Sequence, residues 1–454
     1  MDIPTLVNNL RATFDAGRTR PVEWRTAQLR AMRRMLVENE SEVFAAIAED
    51  MGRPQLEAWY TEIGLVVTEI DHALANLNSW VRDRKVSSIM ANFPSSSWVQ
   101  PDPLGVVLII APWNYPIQLL LLPLIPAIAA GNCAVLKPSE ISGASSRLIA
   151  RLVPQYLDTS TIAVVEGAVP ETTELLQQRY DHIFYTGGPQ VGRIVMSAAV
   201  PNLTPVTLEL GGKSPCYVAA DADLKVAARR ICWGKFVNAG QTCVAPDHVL
   251  VDRSVMEPLL RHMATSIREF FGEEPRHSPD FGRVINERHH ARLTALLDGA
   301  NVVIGGQHDV EERYIAPTIL RDVDPDSPVM QEEIFGPILP VLPVDSTSAA
   351  ISFINNRPRP LALYIFSDSE QTQQQVLRGT TSGGVCVNDV LSHAGVPELP
   401  FGGVGNSGMG AYHGRYGFDA MSHSKAVVRR STAVDVKLRY APYKGKLKWL
   451  KMAF

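Results

Sequence analysis

The 454-residue chain lacks both an excess of positive charge and a framework of cysteines. Its 43 lysine and arginine residues are balanced by 47 aspartate and glutamate residues, giving a formal net charge of −4. Such a chain has no overall positive field to hold nucleic acid, so we expect no nucleic-acid partner. Five cysteines without a CxxC pair predict no disulfide-stabilised fold. They are typical of a reducing compartment, here predicted to be the cytoplasm, where a single thiol can stay reactive.

The N-terminus lacks the features of a secretory signal, because Asp2 stands where positive charge is expected and no continuous apolar run follows. Residues 104–130 are long and apolar enough to span a bilayer as one helix. Four prolines interrupt them, however, and Asn114 places a polar amide near their centre. We therefore predict a buried strand, a turn and a buried helix here, and no transmembrane segment.

What the sequence does contain is a regular alternation of strand-like and helix-like segments from residue 105 to residue 210. Each strand–helix–strand unit takes about 30 residues, which is typical of parallel strands joined by right-handed crossovers. The pattern predicts an α/β fold with a doubly wound parallel sheet of the dinucleotide-binding type. The predicted strands are 105–111, 133–137, 161–166, 182–185 and 205–210, and the predicted helices are 117–130, 142–156, 171–179 and 189–199.

A second α/β series begins after residue 210. Its predicted strands are 215–220, 248–252, 317–323, 336–344, 361–367 and 384–388, and its predicted helices are 222–238, 254–271 and 287–299. Residues 3–80 are predicted to be helical, and the polar residues 84–103 to form an extended hairpin. The two series meet at residues 209–213, so we expect two α/β lobes with a ligand-binding cleft between them.

One of the five cysteines stands in an unusual setting. Cys243 ends the run Gly240, Gln241, Thr242 and is followed by more small residues before Pro246. Backbone amides are accessible in such a turn, and they could both activate a thiolate and bind an oxyanion. The others are interpreted as small buried apolar side chains: Cys133, Cys216, Cys232 and Cys386.

Two polar side chains fall at positions that favour a function. Asn114 follows the first predicted parallel strand, where its amide could donate to a developing negative oxygen or cap the next helix. Glu209 lies in an otherwise apolar strand at the junction of the lobes, which is a costly position unless the carboxylate is paired or functional. A raised pKa would suit Glu209 to general base catalysis near neutral pH.

The phosphate-binding sequence GxGxxG is absent. The nearest match contains Gly187, Gly188 and Gly192, which follow a predicted strand and open a predicted helix. This context suits phosphate binding, but glycine-rich turns are common in α/β proteins, so both interpretations stay open. Neither HExxH nor another ligand pattern surrounds His289 and His290, so no metal site is predicted.

Seven motifs occur in a fixed order along most of the chain: PWNYP, LKPSE, TGGxxxG, LELGGKSP, GQTC, EEIFGP and PFGGxGxSG. With them, the chain resembles the aldehyde dehydrogenase superfamily from about residue 10 to residue 425, and its class 3 branch in particular. The resemblance implies a Rossmann-like cofactor domain, a second α/β catalytic domain, and a small oligomerisation hairpin and tail.

The resemblance also implies a division into domains. Residues 1–83 and 104–210 are assigned to the cofactor-binding domain, and residues 211–410 to the catalytic domain. Residues 84–103 and 411–454 are assigned to segments for bridging or oligomerisation, with a homodimer as the expected assembly. The basic, apolar end of the chain is expected to pack across a subunit interface, and peripheral membrane contact is the less favoured alternative.

The catalytic roles implied by the resemblance fall on three residues already singled out. Cys243 matches the nucleophile that attacks the aldehyde carbon and later carries a thioester. Asn114 and the backbone amide of Cys243 match the groups that bind the oxyanion. Glu209 matches the base that activates water to hydrolyse the thioester.

The resemblance further implies NAD or NADP as cofactor. The adenosine-ribose site is matched by Lys137 and Glu140, and the pyrophosphate turn by Gly187, Gly188 and Gly192. The nicotinamide site is matched by Glu333 and Phe335, and Trp113 is counted as a further cofactor-binding residue. Gly188 stands where many relatives have serine, so one hydroxyl contact to phosphate is missing.

The implied substrate is an aromatic or a medium- to long-chain aliphatic aldehyde, which is oxidised to its carboxylic acid. Tyr115, Trp233 and Phe401 could line an apolar tunnel or be ordinary packing residues. His393 and His413 are interpreted as structural.

Two alternatives stay open. A CoA-acylating dehydrogenase would transfer the acyl group to CoA, but the presence of Glu209 favours hydrolysis. A binding or structural relative without catalysis is disfavoured because Cys243, Glu209, Asn114, Glu333 and Phe335 occur together.

Overall fold

The structure, a computed structural model, describes residues 2–89, 92 and 94–452. Its α-helices are α1 (Ile3–Asp15), α2 (Val22–Glu38), α3 (Glu40–Met51), α4 (Gln55–Ala58), α5 (Leu65–Trp80), α6 (Gln118–Ala130), α7 (Gly143–Tyr156), α8 (Val169–Leu176), α9 (Pro189–Ala199), α10 (Leu224–Phe236), α11 (Met256–Phe271), α12 (Glu287–Thr294), α13 (Pro328–Gln331), α14 (Thr347–Asn355), α15 (Glu370–Gly379), α16 (Gly414–Ala420) and α17 (Leu447–Lys451).

Its strands are β1 (Arg84–Val86), β2 (Ser95–Pro103), β3 (Val106–Ile110), β4 (Cys133–Lys137), β5 (Ile162–Val164), β6 (His182–Gly187), β7 (Val206–Leu210), β8 (Pro215–Val218), β9 (His248–Asp252), β10 (Val302–Ile304), β11 (His308–Asp309), β12 (Tyr314–Ile315), β13 (Thr318–Leu320), β14 (Ile338–Val344), β15 (Ala362–Phe366), β16 (Gly384–Val387), β17 (Gly408–Met409) and β18 (Ser422–Arg430). Residues 90, 91 and 93 of the predicted hairpin, residue 1, and residues 453 and 454 of the predicted tail lie outside the described residues.

The first lobe is built on a sheet in the order β17-β7-β6-β3-β4-β5. Strands β3 to β7 are parallel, and the short β17 pairs antiparallel with β7. Strand β3 is buried throughout because its alternate side chains enter two different apolar cores, with Val107 and Ile109 on one face and Val106 and Leu108 on the other. Burial on both faces explains why these strands are continuous apolar runs in the sequence.

The second lobe contains a larger sheet in the order β10-β13-β14-β9-β8-β15-β16. All neighbours pair parallel except β10, which runs antiparallel to β13 at one edge. The predicted α/β fold class, with two sheets built from parallel strands, is thus confirmed.

A third, antiparallel sheet joins residues 84–103 to residues 422–430 in the order β1-β2-β18. Strand β2 forms the predicted hairpin with β1, since Arg84 lies opposite Val99. Strand β18 pairs with β2 from Ser422 to Arg430. Within the described residues, β18 is an edge of this sheet with its outer side unpaired.

Helix α6 explains the most apolar stretch of the sequence. Every one of its 13 residues is buried, although Pro123 and Pro126 lie inside it. It packs between β3 and β4 on one side and α2 and α5 on the other. Gly131 ends it in the left-handed conformation, as the sequence predicts. Among the described residues, none of the helices has the length and apolar character required to cross a membrane.

Several predicted element ends are wrong for local physical reasons. The predicted strand 317–323 is limited to β13, because Asp322 adopts a positive φ of 50°. Helix α8 begins at Val169, earlier than predicted, with Pro170 in its first turn, where a missing N–H costs nothing. The predicted helix 287–299 ends at Thr294 and continues only as a short 3₁₀ turn.

Candidate active site

The polar residues singled out in the first lobe lie along one edge of its sheet. Asn114 follows β3, Lys137 is the last residue of β4, Gly187 is the last residue of β6, and Glu209 is the next-to-last residue of β7. The chain continues from β3 to β4 on one side and returns to β6 on the other. Ligands of doubly wound sheets bind at this switch point, beyond the carboxyl ends of the strands.

Cys243 is presented by a loop whose backbone is unusual. After α10, three successive residues adopt positive φ: Asn238 at 54°, Ala239 at 49° and Gly240 at 76°. Left-handed backbone is unfavourable for alanine, so the surrounding contacts must hold the loop in place. Gly240 is required sterically, because a Cβ there would lie 2.2 Å from the carbonyl oxygen of Gly336.

Cys243 is partly exposed, whereas the other four cysteines are buried. Desolvation raises the pKa of its thiol to about 12, and the negative charges of Glu333 and Glu209 act in the same direction. The backbone amides of Cys243 and Val244 act in the opposite direction and lower the pKa. Two carboxylates from different elements therefore lie close enough to act on the thiol, which is protonated at neutral pH.

The Asn114 side chain is held beside this loop. Asn114 is only 2% exposed, and its Nδ2 donates to the carbonyl oxygen of Gln241 at 3.0 Å. A primary amide has two N–H donors, and Gln241 takes one of them. The neighbouring Tyr115 hydroxyl lies 2.6 Å from the Thr242 hydroxyl. Two consecutive residues of the turn after β3 therefore contact the two residues that precede Cys243.

Glu209 is 3% exposed, and neither of its carboxylate oxygens has a hydrogen-bond partner among the described residues. Burial alone raises its pKa well above the usual value. Strand β17 closes over it, since Gly408 pairs directly with Glu209. Gly408 is required there because a Cβ would lie 2.1 Å from the Leu208 carbonyl oxygen. An unpaired buried carboxylate of this kind is poised to accept a proton.

An apolar cavity leads to Cys243. Tyr115, Trp233 and Phe401 line it, as the tunnel interpretation of these aromatic residues requires. His413 also lines it, and neither ring nitrogen of that residue has a partner among the described residues. Burial lowers the pKa of His413 to about 4, so the imidazole is neutral and the wall carries no charge.

The two residues predicted at the adenosine ribose lie next to each other. Lys137 is buried, and its Nζ donates to the Pro138 carbonyl oxygen at 2.7 Å and lies 3.5 Å from Glu140 Oε2. Burial lowers the pKa of Lys137, while Glu140 opposes that shift. The Glu140 side chain is 44% exposed, so it remains available to a ligand hydroxyl.

The glycines predicted at the pyrophosphate form the turn from β6 into α9. Gly188 is the N-cap of α9, and Pro189 occupies its first turn. A Cβ at Gly188 would meet nothing within 4 Å, whereas one at Gly187 would lie 2.3 Å from the Tyr185 hydroxyl. Gly192 packs against Leu210, where a Cβ would lie 2.9 Å from that side chain. The exposed, open N-terminus of α9 can accept an anionic group.

The residues predicted at the nicotinamide, Glu333 and Phe335, belong to the second lobe. Phe335 is in edge-to-face contact with Trp113, which follows β3 in the first lobe, with ring centroids 5.3 Å apart. Glu333 Oε1 has no partner among the described residues, and a Cβ at Gly211 would lie 2.0 Å from Glu333 Oε2. Desolvation, with Asp247 adding to it, raises the pKa of Glu333 to about 8. A buried acceptor without a partner beside an aromatic pair fits a ribose hydroxyl and a flat ring.

Sequence reasoning missed the residues behind the Cys243 loop. Arg53 forms a fully buried ion pair with Glu62, 2.6 Å between Nη1 and Oε1, and its Nε donates to Asn238 Oδ1 at 3.0 Å. Glu62 Oε2 in turn accepts from the backbone N–H groups of Ile117 and Gln118 at 3.1 and 2.8 Å. No local pattern distinguishes Arg53 from an exposed arginine, because its partners are distant in sequence.

The described residues contain no cluster of three or more side chains suited to hold a metal ion. His290 instead contacts the Tyr314 carbonyl oxygen, 3.0 Å from Nε2. The ring of His289 lies 5.1 Å from that of Trp113.

Comparison with known proteins gives a consistent result along the chain. Residues 1–427 match the model of the aldehyde dehydrogenase family. The chain is 49% identical over 447 residues to the rat protein named aldehyde dehydrogenase, dimeric NADP-preferring, covering 98% of this chain and 99% of that protein. It is 51% identical over 448 residues to mouse aldehyde dehydrogenase family 3 member A2, covering 98% and 93% of the two chains.

Comparison of structures agrees. The substrate-bound state of Staphylococcus aureus AldH superposes with a TM-score of 0.98 at 46% sequence identity, covering 100% of this chain and 99% of that chain. An NAD-dependent aldehyde dehydrogenase from Sinorhizobium meliloti gives a TM-score of 0.88 at 30% identity, covering 98% of this chain and 88% of that chain.

Proposed function

Because this chain belongs to the aldehyde dehydrogenase family, we propose that it oxidises its aldehyde through a hemithioacetal and a thioester on Cys243. The family oxidises aldehydes to acids with NAD or NADP. The observation that carries the proposal is the position of the partly exposed thiol in an apolar cavity, two residues after the Gln241 carbonyl that holds the Asn114 amide and close enough to two carboxylates for them to raise its pKa. These groups are what covalent aldehyde oxidation needs.

Attack on the aldehyde places negative charge on its oxygen, and two donors are available to stabilise it. Asn114 keeps a second N–H after its first binds Gln241, and the backbone N–H of Cys243 is close enough to the sulfur to lower the pKa of the thiol. Preorganised donors of this kind stabilise a tetrahedral oxyanion at no cost of rearrangement. Because the thiol pKa is about 12, attack also requires that the thiol proton move to a neighbouring base.

The cofactor supplies a hydride acceptor when it is bound. Lys137 and Glu140 are proposed to hold its adenosine ribose, and Gly187, Gly188 and Gly192 its pyrophosphate at the start of α9. On the other side of the cleft, the unpaired carboxylate oxygen of Glu333 is proposed to accept a hydrogen bond from the second ribose, and Trp113 and Phe335 to pack on the nicotinamide.

Glu209 is proposed to activate the water that hydrolyses the thioester. A carboxylate with a pKa well above the usual value accepts a proton near neutral pH, which an ordinary carboxylate does poorly. The same feature disfavours the CoA-acylating alternative, in which no water needs activation. Rates measured with and without CoA test this point, and acyl-CoA formation in place of free acid would contradict the proposal.

We propose an apolar substrate, either aromatic or medium- to long-chain aliphatic. The cavity residues that the structure describes include aromatic side chains and no Asp, Glu, Lys or Arg. A carboxylated aldehyde would therefore lose its hydration without gaining a charged partner. Initial rates with benzaldehyde, hexanal and decanal should exceed those with succinic semialdehyde, and a preference for the semialdehyde would contradict this assignment.

A homodimer is proposed in which β18 and the tail lie at the interface. Strand β18 is a nine-residue edge strand with Val428 56% exposed, and such an edge readily pairs with another chain. Light scattering should give twice the mass of the chain, and a monomer at micromolar concentration would contradict the proposed dimer.

We propose a cytoplasmic location, because the five free cysteines accord with the reducing conditions of the cytoplasm.

The central test is Cys243→Ala. The variant should lose aldehyde oxidation by at least about 10⁴-fold, because the nucleophile is removed, while still binding NADH or NADPH in a fluorescence titration. Cys133→Ala is the matched control, since Cys133 is a buried thiol at the amino end of β4, away from the site. Full activity of Cys243→Ala would overturn the proposed mechanism.

A further inference from the structure

We infer that Arg53 is a positioning residue for the reaction, fixing the Asn114 amide relative to the Cys243 loop. The inference rests on the proposed function, because it concerns how the oxyanion donor is held. Arg53 is 2% exposed and lies behind the loop. It is not in the lining of the apolar cavity, so it acts only through other residues.

All three nitrogens of the Arg53 guanidinium are engaged. Nε donates to Asn238 Oδ1 at 3.0 Å, and Nη1 donates to Glu62 Oε1 at 2.6 Å and to the Thr61 hydroxyl at 3.2 Å. Nη2 donates to the Asn114 carbonyl oxygen and contacts a thioether sulfur at 3.6 Å. The planar fork therefore joins the chain after β3 to the chain before Cys243, and Glu62 balances its charge.

Asn238 and Gln241 complete a closed circuit of hydrogen bonds around Asn114. Asn238 Nδ2 donates to the carbonyl oxygens of both Asn114 and Gln241, at 3.0 and 3.1 Å. The Gln241 carbonyl oxygen then accepts the Asn114 side-chain amide at 3.0 Å. Arg53 binds two members of this circuit, the Asn114 backbone and the Asn238 side chain. The direction of the second Asn114 N–H is thus set by Arg53.

Lysine cannot replace this fork, although it keeps the charge. An ammonium has three donors on one atom, so it can pair with Glu62 but cannot also reach Asn238 and the Asn114 carbonyl oxygen in the same plane. Arg53→Lys should therefore remove the hydrogen bonds to Asn238 and to the Asn114 carbonyl oxygen while keeping the ion pair with Glu62. A displacement of about 1 Å in a reacting group can cost about 100-fold in rate, and we expect a loss of kcat of that order.

The matched control is Arg25→Lys. Arg25 is also buried, but its guanidinium donates to backbone carbonyls such as Ala129 O, at the opposite end of α6 from Asn114. Both variants remove a buried fork and should lower the Tm to a similar extent. Only Arg53→Lys should lower kcat, with the dissociation constant for NADH or NADPH unchanged. An equal kcat in the two variants would overturn the inference.

A double-mutant cycle with Asn114→Ala separates the inference from the proposed function. If Arg53 acts through Asn114, Arg53→Lys should lower kcat by less than about threefold in the Asn114→Ala background. If the kcat loss of the double variant equals the product of the two single losses, the positioning role of Arg53 is overturned while the oxyanion assignment of Asn114 stays intact. A normal kcat for Asn114→Ala itself would instead overturn the proposed function at that residue.

A second variant keeps the test valid should Arg53→Lys fold poorly. Asn238→Gly removes the side chain that links Arg53 to Gln241, and glycine adopts the left-handed backbone of this position without strain. It should reproduce the kcat loss and again add little to Asn114→Ala. Wild-type kcat in a folded Asn238→Gly variant would contradict the circuit.

Discussion

Glu62 and Glu209 are both buried glutamates near the cleft, but their surroundings are opposite. Glu62 is 0% exposed and accepts hydrogen bonds from Arg53 and from the backbone N–H groups of Ile117 and Gln118. Glu209 is 3% exposed, and neither of its oxygens has a partner among the described residues. Both carboxyls have a pKa raised by burial, but at Glu62 the charge of Arg53 and the backbone hydrogen bonds oppose that shift, whereas at Glu209 nothing opposes it.

The difference teaches how to distinguish a structural carboxylate from a reactive one. A buried carboxylate that is paired with a guanidinium and with backbone N–H groups, such as Glu62, contributes to the fold through those contacts. One that lacks compensation raises the free energy of its charged form and gains affinity for a proton. If this distinction is correct, removal of the charge should affect activity at Glu209 and stability at Glu62.

The largest expected effect is on turnover by Glu209→Gln. Loss of a general base should slow steady-state turnover by about 10²–10⁴-fold, since water is no longer activated. Stopped-flow measurement should show a rapid burst of NADH or NADPH before the slow steady state, because the thioester forms but is not hydrolysed. An unchanged steady-state rate would contradict the proposed role of Glu209 and its proposed difference from Glu62.

Glu62→Gln should have the opposite consequence. Arg53 would be left as a buried charge without its partner, which costs about 3–5 kcal/mol in the free energy of unfolding. Urea unfolding measures this loss, and Glu49→Gln is the control, because Glu49 pairs with Arg147 on the surface and should contribute less than about 1 kcal/mol. Equal losses in the free energy of unfolding for Glu62→Gln and Glu49→Gln would show that the buried pair stabilises the fold no more than a surface pair does.

The smallest expected effect is in the pH dependence of stability. The folded protein keeps the Glu209 proton at pH values where the unfolded chain has lost it, so Glu209 lowers stability as the pH rises above about 4.5. Wild-type stability relative to Glu209→Gln should therefore fall between pH 5 and pH 7, by at most about 1.4 kcal/mol per pH unit. If the difference in free energy of unfolding between the two proteins stays constant from pH 5 to pH 7, the pKa of Glu209 is not raised.

The parts of the fold that sequence reasoning predicted share one property, which is a local signal. Strands β3 and β4 are continuous apolar runs because both faces of the sheet are covered, and Gly131 ends α6 because it tolerates left-handed backbone. Cys243 stood out because it lies in a run of small and polar residues, and Asn114 because it follows the first predicted parallel strand. Each of these features can be recognised within a few residues.

The parts that were missed depend on contacts between distant segments. Arg53 joins residues that lie on three separate elements, and nothing next to it in sequence marks it as buried. Ala239 has a positive φ that no alanine would predict, since the loop geometry comes from its partners. The two-residue strand β17 likewise has no pattern of its own, and only its pairing with β7 defines it.

The position of β17 has a consequence for biosynthesis. Strand β7 carries Glu209, but its outer neighbour β17 is formed by Gly408 and Met409, which are translated long after β7. While the ribosome is still translating the second lobe, β7 is an uncovered sheet edge with an acidic side chain beside it, open to pairing with other nascent chains. The proposed base is enclosed only after Gly408 has been translated, so a product truncated before Gly408 would keep the first lobe but leave Glu209 hydrated, with an ordinary pKa.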